Sequence, residues 1–470
     1  MRHLLPLMIL AIALAGCRGA EAPIVGSGPI FPDYQNVTVP VGIAPLNFDY
    51  TLPSKEAETV FKAGGLEFRF RGPEIRWNIS DWRKLLKAAA DGEISVSSTV
   101  TEDWKIFVSD DAIDYGLNYR LLEPGYEVYS KMGIYERDLG TFKEKALIEN
   151  TDFSGCVNCH AYNRGEPDNF SLHIRGDHGA TLIRKDGDMA AYNTKTDHSL
   201  GFCVYPYWHP DGRFIAYSTN NTRQLFHVQP DKTIEVFDMA SDVQVYDTRD
   251  NSLLTPDSLK YPDKWETFPA FSADGKSLYF CMADSVAVPD SLSRARYNLY
   301  KVAFDPDNGE VADTVELVVD AASAGRSISF PKPSYDGKYL VYTLSEYGQF
   351  SIWHHEADLW LLDIETGETR PLDEVNSPDT ESYHGWSSNS SWIVFCSRRL
   401  DGLFTRLYIA HVNPDGTFGK PFLLPQKDPS RYYSDLFMSY NVPEFVTGPV
   451  DIDYRKARRL INAEERIPFK

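Results

Sequence analysis

Residues 207–218 read YWHPDGRFIAYS, and this stretch decides the fold because its pattern returns three more times along the chain. The later copies are AFSADGKSLYFC at 270–281, PSYDGKYLVYT at 333–343 and GWSSNSSWIVFC at 385–396. In each copy a strand-like segment precedes a tight turn of the Asp-Gly type, and an alternating apolar strand follows. The repeated unit is therefore predicted to contain a β-hairpin.

The spacing of the turns predicts a ring of such units. Gly212, Gly275, Gly337 and Ser390 occupy the same turn position and are separated by 63, 62 and 53 residues. That interval accommodates one four-stranded sheet with its loops, which is the blade of a β-propeller. A fifth unit is centred on residues 156–174. A sixth is expected from residues 435–446 together with an N-terminal strand that closes the ring.

These repeats resemble the WD40-like repeats of TolB-type β-propellers over roughly residues 150–445. The predicted fold is therefore all-β, with a six-bladed propeller preceded by a small β-rich domain. We assign residues 1–16 to a signal peptide, 17–29 to a lipidated tether and 30–150 to the β-rich domain, for which a sandwich is one arrangement considered. Residues 151–446 are assigned to the propeller and 447–470 to a C-terminal tail.

The domain before the propeller shows no repeat. Strands are predicted at residues 66–70, 104–108 and 115–122, around one short helix. In that helix Trp82, Leu85, Leu86 and Ala89 recur with helical spacing, Ser80 is the predicted N-cap and Gly92 follows the end.

Composition supports a folded protein and excludes one class of partner. The 470 residues are 43% hydrophobic and 24% charged, as in ordinary globular proteins. The 47 basic and 67 acidic residues give a net charge of −20. Because nucleic-acid binding draws on positive charge, no nucleic-acid partner is expected.

The N-terminus carries the features of an export signal. Basic residues precede an apolar run from Leu4 to Ala15, which is too short to span a membrane. The sequence Leu14-Ala15-Gly16-Cys17 resembles the lipobox of bacterial lipoproteins. This resemblance implies an acylated Cys17, a membrane partner through the lipid anchor, and residence in the bacterial cell envelope at the outer membrane facing the periplasm.

Five cysteines remain after Cys17. Cys203, Cys281 and Cys396 are expected to be buried apolar thiols. The other two form Cys156-Val157-Asn158-Cys159-His160, the attachment signature of c-type haem. Two thiols at this spacing add to the two vinyl groups of one haem, and the following imidazole coordinates iron. A Cys156–Cys159 disulfide, half of a zinc site and a chance match are the alternatives.

The region after this motif is similar to a family of TolB-like propellers that carry Cys-x-x-Cys-His in the first blade and are associated with cytochrome c and its biogenesis. In that resemblance Pro167, His173, Arg175, His178, Gly179 and Thr181 match, whereas Phe170 replaces a methionine. His173 or His178 is then the expected distal iron ligand, with Met189 as the alternative. Arg175 is expected to pair with a haem propionate.

The predicted function is that of an envelope lipoprotein with one covalent haem c, in electron transfer or another redox-linked role. Its partner would be an envelope protein or redox protein. The alternative is a non-catalytic TolB-like protein-interaction scaffold without haem. His384 and the His354-His355-Glu356 segment are expected in propeller loops. No hydrolase elbow, phosphate loop or zincin motif occurs, so the sequence does not favour an enzyme.

Overall fold

The computed structural model describes residues 28–52, 56–123, 130–153, 155–176, 179–226 and 234–470. These residues form an all-β protein with three short helices. None of the helices in the described ranges has the length and apolar character needed to cross a membrane. Cys17 and His178 lie outside these ranges.

Eight short strands form the N-terminal domain. They are β1 (Ile30–Phe31), β2 (Thr38–Pro40), β3 (Phe48–Tyr50), β4 (Glu58–Ala63), β5 (Leu66–Arg71), β6 (Glu74–Ile75), β7 (Gly92–Ser98) and β8 (Trp104–Ser109). One sheet has the order β2-β8-β7-β4-β5, and the other has the order β1-β3-β6. The predicted β-rich domain is confirmed.

The predicted helix is present as α1 (Ile79–Ala88), and Trp82, Leu85 and Leu86 are buried as expected. The N-cap differs from the prediction. Asn78, not Ser80, caps the helix, because the Asn78 side-chain oxygen accepts a 2.8 Å hydrogen bond from the Ser80 backbone N–H. Gly92 follows the end of the helix, as predicted, and begins β7.

Twenty-four further strands form six sheets. They are β9 (Gly116–Leu122), β10 (Met132–Asp138), β11 (Glu144–Glu149), β12 (Cys156–Asn163), β13 (Glu166–Arg175), β14 (Ala180–Lys185), β15 (Asp188–Asn193), β16 (Cys203–Trp208), β17 (Phe214–Phe226), β18 (Ile234–Asp247), β19 (Ser252–Leu254), β20 (Lys264–Phe271), β21 (Ser277–Asp284), β22 (Asn298–Asp305), β23 (Glu310–Val319), β24 (Ser327–Pro333), β25 (Tyr339–Ser345), β26 (Asp358–Asp363), β27 (Thr369–Pro371), β28 (Glu381–Trp386), β29 (Trp392–Ser397), β30 (Arg406–His411), β31 (Phe422–Leu423) and β32 (Ser439–Val446). Five sheets take four consecutive strands each, from β12–β15 to β28–β31, and all their pairings within these quartets are antiparallel.

The sixth sheet joins the two ends of the propeller. Its order is β11-β10-β9-β32, so one C-terminal strand is added to three strands from near the N-terminus. The first strands β12, β16, β20, β24 and β28 contact one another in succession, and β32 contacts both β28 and β12. This closed circuit of inner strands is a six-bladed propeller, as predicted.

Two boundaries differ from those drawn on the sequence. Residues 116–149 were assigned to the β-rich domain, yet they supply three strands of a blade because β9 pairs with β32. The segment assigned to a tail contains α3 (Tyr454–Asn462) and β33 (Ile467–Pro468), and β33 pairs in parallel with β15. Helix α2 (Pro429–Asp435) precedes the closing strand.

The two domains share one hydrophobic core. Trp82 and Ile106 of the N-terminal domain belong to the same buried cluster as Trp392, Ile409 and Phe422 of the β28–β31 blade. Polar contacts reinforce this packing: the Trp392 indole N–H donates to the Asp111 carbonyl at 3.2 Å. The N-terminal domain is therefore fixed against one blade.

Candidate functional site

A bulge recurs at the same place on all six inner strands. Each inner strand has one residue more than its partner at this point, and that residue lies in the left-handed region with φ between 38° and 54°. The six residues are Cys159, Tyr205, Phe268, Phe330, Tyr383 and Val442. We call them the inner belt, because each lines the same central cavity.

The residue after each belt position explains how the bulge is built. It is proline in four blades, at positions 206, 269, 331 and 443. Proline has no N–H to donate to the ladder, and pairing there resumes only one residue later. In the other two blades the residue is His160 or His384, and each rejoins the ladder at once.

The sequence carried a signal for the belt that was missed. Tyr205, Phe268, Phe330 and Tyr383 each stand seven residues before the turn position used to align the repeats. An aromatic residue followed by Pro or His therefore marks the inner strand of four blades. Cys159-His160, the second half of the predicted haem motif, is the same structural dipeptide in the first blade.

Aromatic rings form most of the belt. Tyr205 and Phe268 have centroids 4.6 Å apart, Phe268 and Phe330 4.6 Å, and Phe330 and Tyr383 4.4 Å. These separations are those of favourable aromatic pairs. The remaining two positions, Cys159 and Val442, carry small side chains. The belt is thus a continuous aromatic arc with one side of smaller residues.

The cavity that the belt lines has a volume of about 320 Å³. This volume is within the range of ligand-binding pockets. Part of its wall is the hairpin of β17 and β18, through Gln224, Phe226 and Ile234. The Tyr347 hydroxyl donates to Glu235 and so ties this hairpin to the blade of β24–β27. A second cavity, of about 30 Å³, is lined by residues that follow the belt, such as Tyr207 and Trp386.

Basic side chains predominate around the larger cavity, although the protein is acidic. Its charged lining residues are Arg120, Glu123, Arg175, Lys332, Arg398 and Glu444. Lys332 and Glu444 line both cavities, with their charged atoms 3.9 Å apart. Burial lowers the pKa of Lys332 and raises that of Glu444 to about 7, so the cost of desolvation outweighs their attraction.

The haem-motif residues lie on this cavity. Cys156 and Cys159 both line it and both are free thiols, so the disulfide alternative is not formed. Burial raises the pKa of the Cys159 thiol. His160 is buried, and burial together with the positive charges of Arg120 and Lys332 lowers its pKa to about 3. Its imidazole is therefore neutral, with Nε2 lacking a hydrogen-bond partner.

The other predicted ligands are placed differently. His173 is buried with Nδ1 3.0 Å from the Thr181 hydroxyl, and its ring packs against Phe202. It does not line the cavity. Met189 packs in the core beneath helix α3, with Ile461 in the same cluster. Arg175 lines the cavity.

His384 corrects one expectation and adds a residue to the site. The sequence predicts a loop position for His384, but the residue lies in strand β28 and lines the cavity, since it follows a belt residue. Its Nε2 is 2.9 Å from the Val341 carbonyl, and burial lowers its pKa to about 3. His354 and His355 do occupy a turn, where they contact Glu356 at 3.2 Å and Asp379 at 2.7 Å.

The remaining cysteines behave as predicted. Cys203, Cys281 and Cys396 are buried free thiols in three different blades. Across the described residues, no three His, Cys, Asp or Glu side chains are grouped as a metal site. The half zinc site considered for Cys156 and Cys159 therefore gains no further ligands from this part of the chain.

Comparison with solved structures finds matches at low similarity. TolB from Acinetobacter baumannii is 14% identical, with 78% of this chain and 85% of that chain covered and a TM-score of 0.44. A putative TolB from Agrobacterium tumefaciens is 13% identical, with 68% and 94% covered and a TM-score of 0.38. Hydrazine synthase from Kuenenia stuttgartiensis is 16% identical, with 55% and 64% covered and a TM-score of 0.33.

No protein-family model and no curated protein matches the sequence. The propeller assignment accordingly rests on the strand pairing and the closed circuit of inner strands described above.

Proposed function

We propose that the protein is a non-catalytic binding propeller whose central cavity receives a segment of another cell-envelope protein. The observation that carries this proposal is the inner belt, where all six blades contribute one residue to the lining of a single cavity. Aromatic side chains at a concave site supply contact area at low conformational-entropy cost. The belt is therefore suited to hold apolar side chains of a partner.

Site-specific photo-crosslinking in cells tests this proposal. A benzophenone amino acid replacing Tyr205 is expected to crosslink one defined protein. The same group at the exposed Phe437 serves as the matched control. Truncating the neighbouring ring by Phe268→Ala should reduce the crosslink from position 205. Equal crosslinking from both positions, or none from position 205, contradicts a partner in the cavity.

Covalent haem at Cys156 and Cys159 is the second candidate. Three features of the structure fit it: both thiols are free, both line one cavity, and His160 is neutral with an unpartnered Nε2. Cys156, Cys159 and His160 would hold the group, which would supply electron-transfer chemistry. The distal ligand, His173 or His178, stays a prediction.

The two candidates give opposite results in one comparison. Protein produced in a host with cytochrome c maturation would show a pyridine haemochrome spectrum if haem is attached, and the Cys156→Ala/Cys159→Ala variant would lose it. A binding scaffold instead gives colourless protein, and the crosslink from position 205 persists in the double variant.

We also propose that Cys17 is acylated and that the protein is held at the outer membrane, facing the periplasm. The lipobox resemblance supports this location. The Cys17→Ser variant should lose the lipid mass and leave the membrane fraction. Retention of the same modified mass in that variant would contradict the anchor.

A further inference from the structure

Arg120 places an unbalanced positive charge at the small-residue side of the belt. One nitrogen of its guanidinium donates to the Asn158 side chain and lies 3.4 Å from the Val157 carbonyl, while Nε has no partner. Within the described residues no carboxylate lies within 4.0 Å of Arg120. A half-buried arginine without a counter-ion is costly unless a ligand supplies one.

Lys332 adds a second charge near the same point. Arg120, His160 and Lys332 all line this cavity. Glu444 is the carboxylate facing Lys332, at 3.9 Å, and its raised pKa shows that it is a weak counter-ion. His160 itself stays neutral and contributes no charge.

Arg398 is a further cation on the cavity wall, with the carboxylates of Asp379 and Asp401 nearby. Its guanidinium stacks on Trp353, with 3.4 Å from the central carbon to the ring centroid, and Nε donates to the Ile352 carbonyl at 2.8 Å. Its guanidinium donates to backbone carbonyls and packs on an aromatic ring. Four basic and two acidic side chains line this cavity. Because an excess of one charge sign in a low-dielectric cleft concentrates the field, the cavity favours anions although the protein is acidic.

The aromatic arc and the cations face one space, which restricts the chemistry of the occupant. The arc of Tyr205, Phe268, Phe330 and Tyr383 favours an aromatic or apolar group. Arg120 and Lys332 favour a carboxylate beside that group, because Arg–carboxylate pairs are strong and geometrically specific. An extended chain that ends in the cavity offers both features at its last residue.

We propose that the cavity binds the C-terminal carboxylate of a partner polypeptide, with an aromatic or apolar last residue on the belt. This inference rests on the proposed function and specifies which part of the partner enters. Arg120 and Lys332 contact the carboxylate, and the aromatic arc contacts the last side chain. Glu444 is displaced from Lys332 or becomes protonated when the carboxylate binds.

Calorimetric titration with a model peptide tests the inference. The probe is acetyl-Gly-Gly-Phe-Phe with a free carboxylate, and its C-terminal amide is the comparison. The free acid should bind at least ten-fold more tightly than the amide. Arg120→Gln should remove this preference, whereas Arg71→Gln, at an exposed arginine of strand β5, should retain it.

Each contrary result overturns the inference in a distinct way. If the acid and the amide bind equally, or if the acid does not bind, the cavity does not recognise a C-terminal carboxylate. If the Arg120→Gln variant still prefers the acid over the amide, a group other than Arg120 binds the carboxylate. If 3-phenylpropionate binds as tightly as the peptide acid, the cavity takes a small free carboxylate and not a chain terminus.

The photo-crosslinking experiment keeps this inference separable from the proposed function. A partner that crosslinks from position 205 and is unaffected by Arg120→Gln leaves the binding function standing while the carboxylate inference fails. Loss of the crosslink in Arg120→Gln, with retention in Arg71→Gln, supports both. If position 205 gives no crosslink in the parent or in either variant, the proposed function itself is contradicted.

Discussion

Glu266 keeps a carboxyl group at a fully buried position on the inner strand β20. One carboxyl oxygen lies 3.3 Å from the Tyr261 backbone N–H, and the other, Oε2, has no hydrogen-bond partner. Burial, supplemented by the nearby charge of Asp242, raises the pKa of Glu266 to about 8. The carboxyl group is therefore protonated at neutral pH in the folded protein.

This raised pKa makes stability depend on pH. Between about pH 4.5 and pH 8 the folded state binds a proton at Glu266 that the unfolded state releases, so the free energy of unfolding falls as pH rises. Glu266→Gln removes the ionisable group and should flatten the pH profile. At pH 8 the variant should be more stable than the parent, by up to about 4 kcal/mol.

Urea unfolding at pH 5, 6, 7 and 8 measures the effect, with Glu310→Gln as a control at an exposed carboxyl group of strand β23. A parent profile as flat as that of the Glu266 variant would show that Glu266 does not bind the proton.

The sequence predicted which residues of the Cys-x-x-Cys-His motif lie together better than it predicted what the other candidate residues contact. Cys156, Cys159 and His160 do line the central cavity. His173 lies on β13, the second strand of its blade, and at that register its imidazole contacts the Thr181 hydroxyl on β14. Its role as a distal ligand stays a prediction. Arg120 was not considered at all, since its role depends on pairing between strands far apart in sequence.

Among the turns that align the repeats, the turn between β20 and β21 leaves the least space for a side chain at its glycine. Gly275 has φ of 72°, and its carbonyl lies 3.0 Å from Nε2 of His209 in the adjacent blade. A Cβ atom at position 275 would lie 2.1 Å from that nitrogen. This glycine is needed both for its backbone conformation and for the close approach of a neighbouring blade.

Gly275→Ala should therefore destabilise the protein strongly, by about 3 kcal/mol or more, from left-handed strain and steric overlap together. Gly367→Ala is the matched control, because Gly367 has φ of 73° and nothing within 4 Å of its Cβ position. That variant should cost about 1 kcal/mol. Thermal unfolding of both variants provides the comparison, and equal losses would show that contact with His209 is unimportant.

The hairpin repeats were predictable because the Asp-Gly type turns and alternating apolar strands are local signals. The inner strand was harder to recognise, since the bulge at the belt interrupts its alternation and inserts proline. The extended hairpin of β17 and β18 was also missed. Its outer half, including exposed Phe226, lacks the apolar alternation that marks a buried strand.

For the molecule as a whole, the shared core predicts joint unfolding of both domains. Trp82 and Trp392 belong to one buried cluster across the domain boundary. A hydrogen bond of 2.7 Å between His411 Nε2 and the Asp111 carboxyl group also joins a blade strand to the loop after β8. Separating the domains would expose this apolar surface, which costs free energy in proportion to its area.

We therefore expect a single calorimetric transition, with equal calorimetric and van't Hoff enthalpies. Leu86→Ala, within helix α1, should lower the temperature of that transition without splitting it, at a cost of about 2–5 kcal/mol. Two resolved transitions, in the parent or the variant, would show that the N-terminal domain unfolds by itself.

The boundary at residue 150 could not be placed from the sequence because strands β9–β11 belong to no visible repeat. Only pairing with β32 reveals them as part of a blade. The spacing of the turns predicted the number of blades. It did not predict how many strands of the sixth blade come from each end of the chain. Long-range pairing of this kind leaves no periodic trace in the residues on either side.

Because β9 pairs with β32, the sixth sheet is completed late in biosynthesis. Strand β9 emerges from the ribosome early, yet its partner is made only after five complete sheets have been produced. Throughout that interval the backbone N–H and C=O groups on one side of β9 stay open to pairing with other chains, the circumstance in which nascent proteins aggregate. We therefore expect the unpaired edge of β9 to favour association between chains until β32 is available for pairing.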